Sequence, residues 1–199
     1  MIFIGDNGFM VGQHGLLGKG NARILHVAKK RQHLRISRER GTRANMFDDS
    51  VLVPFIVRWP GHVPAGRVDT TSVLAGVDML PTLLAATGIP VPDDYESDGV
   101  NLLPAFRGEP FERNKPLFWE WRGTHAKEAN WPELAMRDGN WGLLMTQDRK
   151  RVELYDLVND RMQENNLAEE QPQRVATMTE AIRAWKATLP PTPEPPVAV

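Results

Sequence analysis

The chain contains no cysteine, which excludes disulfides, thiolate metal sites and a cysteine nucleophile, and leaves the compartment open because secreted proteins also lack it. No apolar run approaches the roughly 18 residues that cross a bilayer, so no membrane span is expected. A dominant charge is missing too: 24 Lys+Arg stand against 25 Asp+Glu for a net charge of −1, and no global field points to nucleic acid, a membrane surface or an acidic partner. Met1 is followed at once by Ile2, Phe3 and Ile4, without the basic and apolar regions of a secretion signal. What is present is a chain of 199 residues, 41% of them hydrophobic, enough for one medium domain or a domain with a small appendage.

Residues 1–4 read as a short apolar strand of the kind a parallel sheet covers on both faces, and residues 5–20 as a loop. "VLVPFIVRW" at 51–59 predicts a second buried strand, ended by the Pro60-Gly61 turn. In "VDMLPTLLAATG" Asp78 suits a helix N-cap, Pro81 the first turn and Gly88 the C-terminal left-handed position. Residues 90–110 are turn-rich, and the domain boundary is placed near Gly108. Beyond it, "PLFWEW", "ELAMR", "NWGLLM" and "VELYDL" predict an antiparallel sheet, and residues 172–189 a helix carrying Val175, Met178, Ile182, Trp185 and Leu189 on one face to cover it. Trp119, Trp121, Trp131 and Trp141 are assigned to that core. The proline-rich residues 190–199 have no means of packing and are expected to be disordered. The expected organisation is therefore α/β: 1–108, 109–189 and a tail, 190–199.

"IFIGDNGFMVGQHGLLGKG" at 2–20 carries most of the chemistry. Ligands of open α/β sheets gather beyond the carboxyl ends of strands, where Asp6 and Asn7 stand. A carboxylate beside an amide oxygen offers two hard donors suited to Ca²⁺ or Mg²⁺, but Ca²⁺ takes about six to eight oxygens, and Asp-Asn-Gly on its own reads first as a turn. Lys19, after a run of glycines, can meet a tetrahedral anion such as sulfate or phosphate, or be an ordinary surface lysine; "GKGN" lacks the P-loop order. His14 can donate a proton or a hydrogen bond, or serve neither purpose.

"GDNGFMVGQHGLLGKGN", "MFDDSVLVPFIVRWPG", "VDMLPTLLAATGIP", "DGVNLLPAFRGE", "MRDGNWGLLM" and "ELYDLVNDRMQENNLA" follow one another in an order that resembles the C-terminal half of a type I, formylglycine-dependent sulfatase. The resemblance covers most of residues 2–170 and implies a partial alkaline-phosphatase-like sheet with helices, followed by a small α+β subdomain with an antiparallel sheet and a C-terminal helix. It implies hydrolysis of sulfate esters or sulfamates, with Asp6 and Asn7 as half of a Ca²⁺ ligand set and Mg²⁺ second to it. Lys19 is then the lysine on the sulfate oxygens and His14 a histidine at the pocket mouth, so both are the substrate-binding and catalytic candidates. The family nucleophile is a formylglycine made in a Cys/Ser-x-Pro-x-Arg motif, and none of the four serines, Ser37, Ser50, Ser72 and Ser97, has proline two residues on. The resemblance thus predicts a fragment that holds half a site and does not turn over sulfate esters alone, with the formylglycine and the paired aspartates of the family upstream. It also implies a sulfated small molecule or glycan as substrate and a periplasmic or secreted parent protein.

Between Lys29 and Arg43 stand seven Lys/Arg and one acid, Glu39. A solvated loop or surface helix, a rim that attracts a polyanionic substrate, and nucleic-acid binding are the three readings; the last lacks aromatic residues for stacking. Two other functions stay in view: a phosphatase or phosphodiesterase relative of the same superfamily, and a non-catalytic polyanion-binding module built on residues 29–43.

Overall fold

The computed structural model describes residues 1–19, 21–30, 33–38, 43–122 and 131–191. Residues 31–32 and 39–42 of the basic segment and the tail from 192 therefore lie outside the described residues. In chain order come β1 (Ile2–Ile4), β2 (Met10–Val11), a 3₁₀ turn (Gln13–Gly15), β3 (Leu16–Gly18), β4 (Asn21–Lys30), β5 (His33–Arg38) and β6 (Arg43–Ala44). Next are α1 (Asp48–Val51), β7 (Phe55–Val57), a second 3₁₀ turn (Gly76–Asp78), α2 (Met79–Thr87), α3 (Leu103–Arg107) and β8 (Leu117–Glu120). β9 (Leu134–Asp138), β10 (Trp141–Met145), β11 (Val152–Asp156) and α4 (Pro172–Thr188) follow. By internal contact the chain divides into two compact units, Met1–Asp6 with Val53–Leu117, and Asn7–Leu52 with the chain from Phe118 onward.

In the first unit β1 pairs with β7, Phe3 opposite Ile56, and the pairing is antiparallel. Ile2, Phe3, Ile4 and Ile56 are exposed. This corrects the expectation of a covered parallel strand: three apolar residues in a row carry no period that tells a buried strand from a bare one. β7 is shorter than the expected strand because residues 48–51 wind into α1 and Pro54, which has no N–H to donate, precedes the ladder. Pro81 and Gly88 take their expected places in α2, Gly88 at φ 70°. Asp78 does not cap that helix. Its buried carboxylate instead accepts from the Ala75 amide at 2.7 Å, the Val100 amide at 2.9 Å and both arms of the Arg113 guanidinium at 2.7 and 2.9 Å. A charge taken out of water needs a partner for each lone pair, and this network supplies them.

In the second unit the predicted antiparallel sheet runs β11-β10-β9-β8. Leu134, Met136, Leu143, Met145 and Leu154 pack with Met178 and Ile182 of α4, so the helix covers the sheet as its periodicity predicts. Ala135, Leu144 and Tyr155 pack with Met10, Leu16, Ala22, Met46 and Phe47, a face supplied by residues far away in sequence. Trp119, Trp121 and Trp131 lie against this latter core and Trp141 against the former, as aromatic core residues should. Each buried leucine or isoleucine contributes about 1.5–3 kcal/mol.

A second sheet orders β2-β3-β4-β5, with β6 also on β4. Two expectations are corrected here. Residues 5–20 contain a small ladder, Met10 opposite Gly18 and Val11 opposite Leu17, because two pairs of apolar residues flank the glycine turn. The basic segment enters an antiparallel hairpin rather than a loop or helix: "HLRIS" alternates at period two and pairs with the β-branched and apolar "LHVA", a pattern hidden beneath the count of charges. No described helix is long and apolar enough to cross a membrane.

Candidate functional site

Asp6 is exposed just beyond β1, in the first unit. Asn7, His14 and Lys19 belong to the second. The Asn7 side chain is the most informative of them. Its Oδ1 is buried and accepts no hydrogen bond, a state that costs on the order of 1–3 kcal/mol when nothing compensates it. A donor-free, buried amide oxygen is what a hard cation coordinates.

The backbone around Asn7 is fixed by close approach. The Gly8 amide donates to the Ser50 carbonyl at 3.0 Å, and a Cβ on Gly8 would lie 2.3 Å from the Asp49 carbonyl oxygen, so only glycine fits against α1. From there the chain runs out along β2 and turns through Gly12 (φ 134°), His14 (φ 52°) and Gly15 (φ 68°). The Val11 amide donates to Gln13 Oε1 at 2.8 Å and the Gly15 amide to the Gly12 carbonyl at 3.0 Å, which closes the turn. β3 then returns antiparallel to β2, and one register step past Met10 and Gly18 sets Lys19 level with Phe9. Lys19 thus comes back to within two residues of Asn7, about 7 Å of strand rise.

Lys19 is exposed, and its carbonyl accepts from Asn45 Nδ2 at 3.2 Å. Asn45 is 1% exposed, and its Oδ1, like that of Asn7, is buried without a partner. The Asn45 carbonyl in turn accepts from Ser50 Oγ at 2.8 Å, and the same hydroxyl bonds the Phe47 carbonyl at 2.7 Å. His14 is exposed and stacks on Phe47, centroids 3.8 Å apart and planes 7° from parallel, so a buried aromatic sets the plane of the imidazole. Residues 45–50 are therefore the platform that holds Asn7, His14 and Lys19. Sequence reasoning missed Asn45: a lone asparagine before Met46-Phe47 carries no motif, and its role shows only once β3 and residue 45 are neighbours.

The platform is itself braced. Gln163, buried and at φ 53°, accepts the Asp48 amide on its Oε1 at 2.7 Å and so occupies the first N–H of α1 from a distant loop, while its Nε2 is buried without a partner. Burial pushes the Asp48 carboxyl up, opposed by Arg137 at 3.9 Å, and burial lowers the Arg137 guanidinium. Among the described residues no cluster of three or more His, Cys, Asp or Glu could hold a metal ion. A carboxylate and an amide oxygen at residues 6–7 are hard donors of the kind Ca²⁺ takes, and two are fewer than the roughly six to eight oxygens it requires. The first unit also has a cavity of about 240 Å³ lined mostly by apolar residues such as Met1, Val57, Trp59, Leu83 and Phe106, with Thr82 and Thr87 and no acidic or histidine side chain.

Among curated proteins the chain is 28% identical to a sulfatase of Formosa agariphila over 199 residues, covering 93% of this chain and 32% of that one. It spans about a third of the length of this relative. Among solved structures it is similar to BT4656 in complex with its substrate D-glucosamine-2-N,6-O-disulfate, at TM-score 0.63 and 22% identity over 95% of this chain and 35% of that one. A phosphonate monoester hydrolase of Agrobacterium radiobacter follows the same fold at TM-score 0.56 and 25% identity, over 94% of this chain and 34% of that one. Residues 42–187 match the sulfatase family described as N-sulphoglucosamine sulphohydrolase, C-terminal, and the chain belongs to that family.

Proposed function

We propose that this chain is the C-terminal part of a sulfuric ester hydrolase that acts on a sulfated glycan, and that it carries the sulfate-binding half of the site. In this reading Lys19 binds the sulfate oxygens, His14 stands at the pocket mouth, and Asp6 and Asn7 are ligands to Ca²⁺. The observation that supports it above all is the pairing of Asn7, whose buried Oδ1 has no donor, with the antiparallel return that brings Lys19 beside it. Ca²⁺ bound there would polarise a sulfuryl oxygen as a Lewis acid. The chain's own part is electrostatic: the Lys19 ammonium, held on a backbone that Asn45 anchors, faces the charge that gathers on the sulfuryl oxygens as the S–O bond breaks. The attacking group is not in this sequence, which has no Cys and no serine in a Ser-x-Pro-x-Arg motif. The substrate class agrees with the disulfated glucosamine bound by BT4656.

Calorimetry on the purified chain tests the reading. Ca²⁺ binding is expected and should be lost in Asn7→Ala; inorganic sulfate should bind in its presence and be lost in Lys19→Ala. An aryl sulfate should not be turned over. Unchanged Ca²⁺ affinity in Asn7→Ala overturns the ligand assignment, and turnover that vanishes in Lys19→Ala overturns the absence of a nucleophile. The likeness to the Agrobacterium enzyme favours one alternative, a phosphoryl ester substrate for the same donors. Tighter binding of inorganic phosphate than of sulfate would select it.

A further inference from the structure

β4 begins two residues after Lys19 and is anchored at its root. Asn21 and Ala22 pair with Ala44 and Arg43 of β6, Arg23 and Ile24 with Leu17 and Leu16 of β3, and Ala22 is fully buried. Further on, Leu25 to Lys30 pair only with β5 among the described residues, and β5 ends the sheet order. Six residues of strand make a two-stranded ribbon about 20 Å long.

Its charge is of one sign. Arg23, Lys29, Lys30, Arg35 and Arg38 lie on the two strands with His26 and His33, and residues 21–38 contain no Asp or Glu. The chain as a whole is net −1, so cationic charge is concentrated here while the remainder is net acidic. By the register, His26, Lys30, His33 and Arg35 fall on one face of the ladder, and Lys29 and Arg38 flank Leu25, Val27, Leu34 and Ile36 on the other. Edge strands often carry charge to block aggregation, but that purpose needs a charge or two on the edge itself. The register sets no lysine or arginine of the ribbon opposite another, yet so many cations on two short strands with no acid among them repel one another, and a bound polyanion reverses the sign of that effect.

We infer that the β4–β5 hairpin is a binding arm for a sulfated polysaccharide, rooted beside Lys19 so that a long chain gripped by the arm presents one of its sulfates there. The inference rests on the sulfatase reading for the chemistry of its partner. A cationic ribbon of this length suits an extended polyanion rather than one sulfated sugar. Nucleic acid fits it less well, because residues 21–45 include no Phe, Tyr or Trp on which bases could stack.

Heparin is the probe, with desulfated heparin and duplex DNA as competitors. The unmodified chain should bind heparin with a steep salt dependence. The fourfold variant Lys29→Ser, Lys30→Ser, Arg35→Ser, Arg38→Ser should lose at least about tenfold in affinity, and its salt slope should fall by roughly one for each charge removed. The variant Lys29→Arg, Lys30→Arg keeps the charge and should bind as the unmodified chain does. The fourfold variant should keep inorganic sulfate binding within about twofold while Lys19→Ala loses it, so loss of the arm and loss of the sulfate site read out separately. Hydrogen exchange on the unmodified chain should show heparin protecting amides of residues 21–38, a result that does not depend on any variant folding. Equal affinity in the fourfold variant, protection confined to other segments, or binding of DNA or desulfated heparin as tight as that of heparin would each overturn the inference.

Discussion

The sheet of the second unit is covered twice, by α4 on one face and by Met10, Leu16, Met46 and Phe47 on the other. The ladder of the first unit has only two strands, and Ile2, Phe3, Ile4 and Ile56 remain exposed on it, with Leu80 and Leu83 exposed on α2. Its most completely satisfied point is polar: the buried pair of Asp78 and Arg113. A similar supply of apolar residues therefore ends in different sources of stability. In the second unit packing holds the structure, and in the first a single charged network fixes how α2 meets residues 100 and 113.

The sharpest way to break this contrast is Arg113→Ala. It leaves Asp78 charged, buried and unpaired, and is expected to cost about 3–5 kcal/mol in the first unit alone. Hydrogen exchange at residues 75–113 should accelerate while residues 134–156 keep their protection. Next is Ile182→Ala, which opens a cavity under the sheet and should cost about 2–5 kcal/mol in denaturant unfolding of the second unit. Leu80→Ala, on the exposed side of α2, should stay within about 0.5 kcal/mol. Equal losses at both positions would erase the distinction.

Asn45→Ala removes the donor to the Lys19 carbonyl and should destabilise by about 1 kcal/mol, with weaker sulfate binding and unchanged Ca²⁺ affinity in calorimetry. The smallest effect concerns pH. Burial raises the Glu120 carboxyl, but hydrogen bonds from Lys186 and Arg122 outweigh it and hold it below the ordinary range. A lowered carboxylate adds stability above its unfolded value, near ~4.3, and that part is lost as pH falls through the folded value. Glu120→Gln should therefore flatten the acid limb of the stability curve and leave its neutral plateau lower by less than about 1 kcal/mol.

The sequence speaks clearly where period and partner are local. Alternation in "ELAMR", "NWGLLM" and "VELYDL" and the helical spacing from Val175 to Leu189 are properties of single segments, and the antiparallel sheet and α4 follow from them. Gly88 sits at the left-handed end of α2 for the same reason. What escaped is non-local. The strand direction of residues 2–4 depends on β7, the second cover of the sheet comes from residues 10–47, and Asp78 found Arg113 rather than its own helix. In the candidate site, Asn7 and Lys19 stood out by residue type and glycine context, whereas Asn45 is visible only through a contact across 26 positions of sequence.

One layout carries a practical lesson. The second unit is sewn from two stretches of chain, residues 7–52 and the chain from Phe118 onward, with residues 53–117 of the first unit between them in sequence. Expression of residues 109–191 by themselves would deliver the four strands and their helix with one side bare, because Met10, Leu16, Ala22, Met46 and Phe47 would stay behind. A soluble excised version would have to rejoin residues 7–52 to residues 118–191 through a new linker.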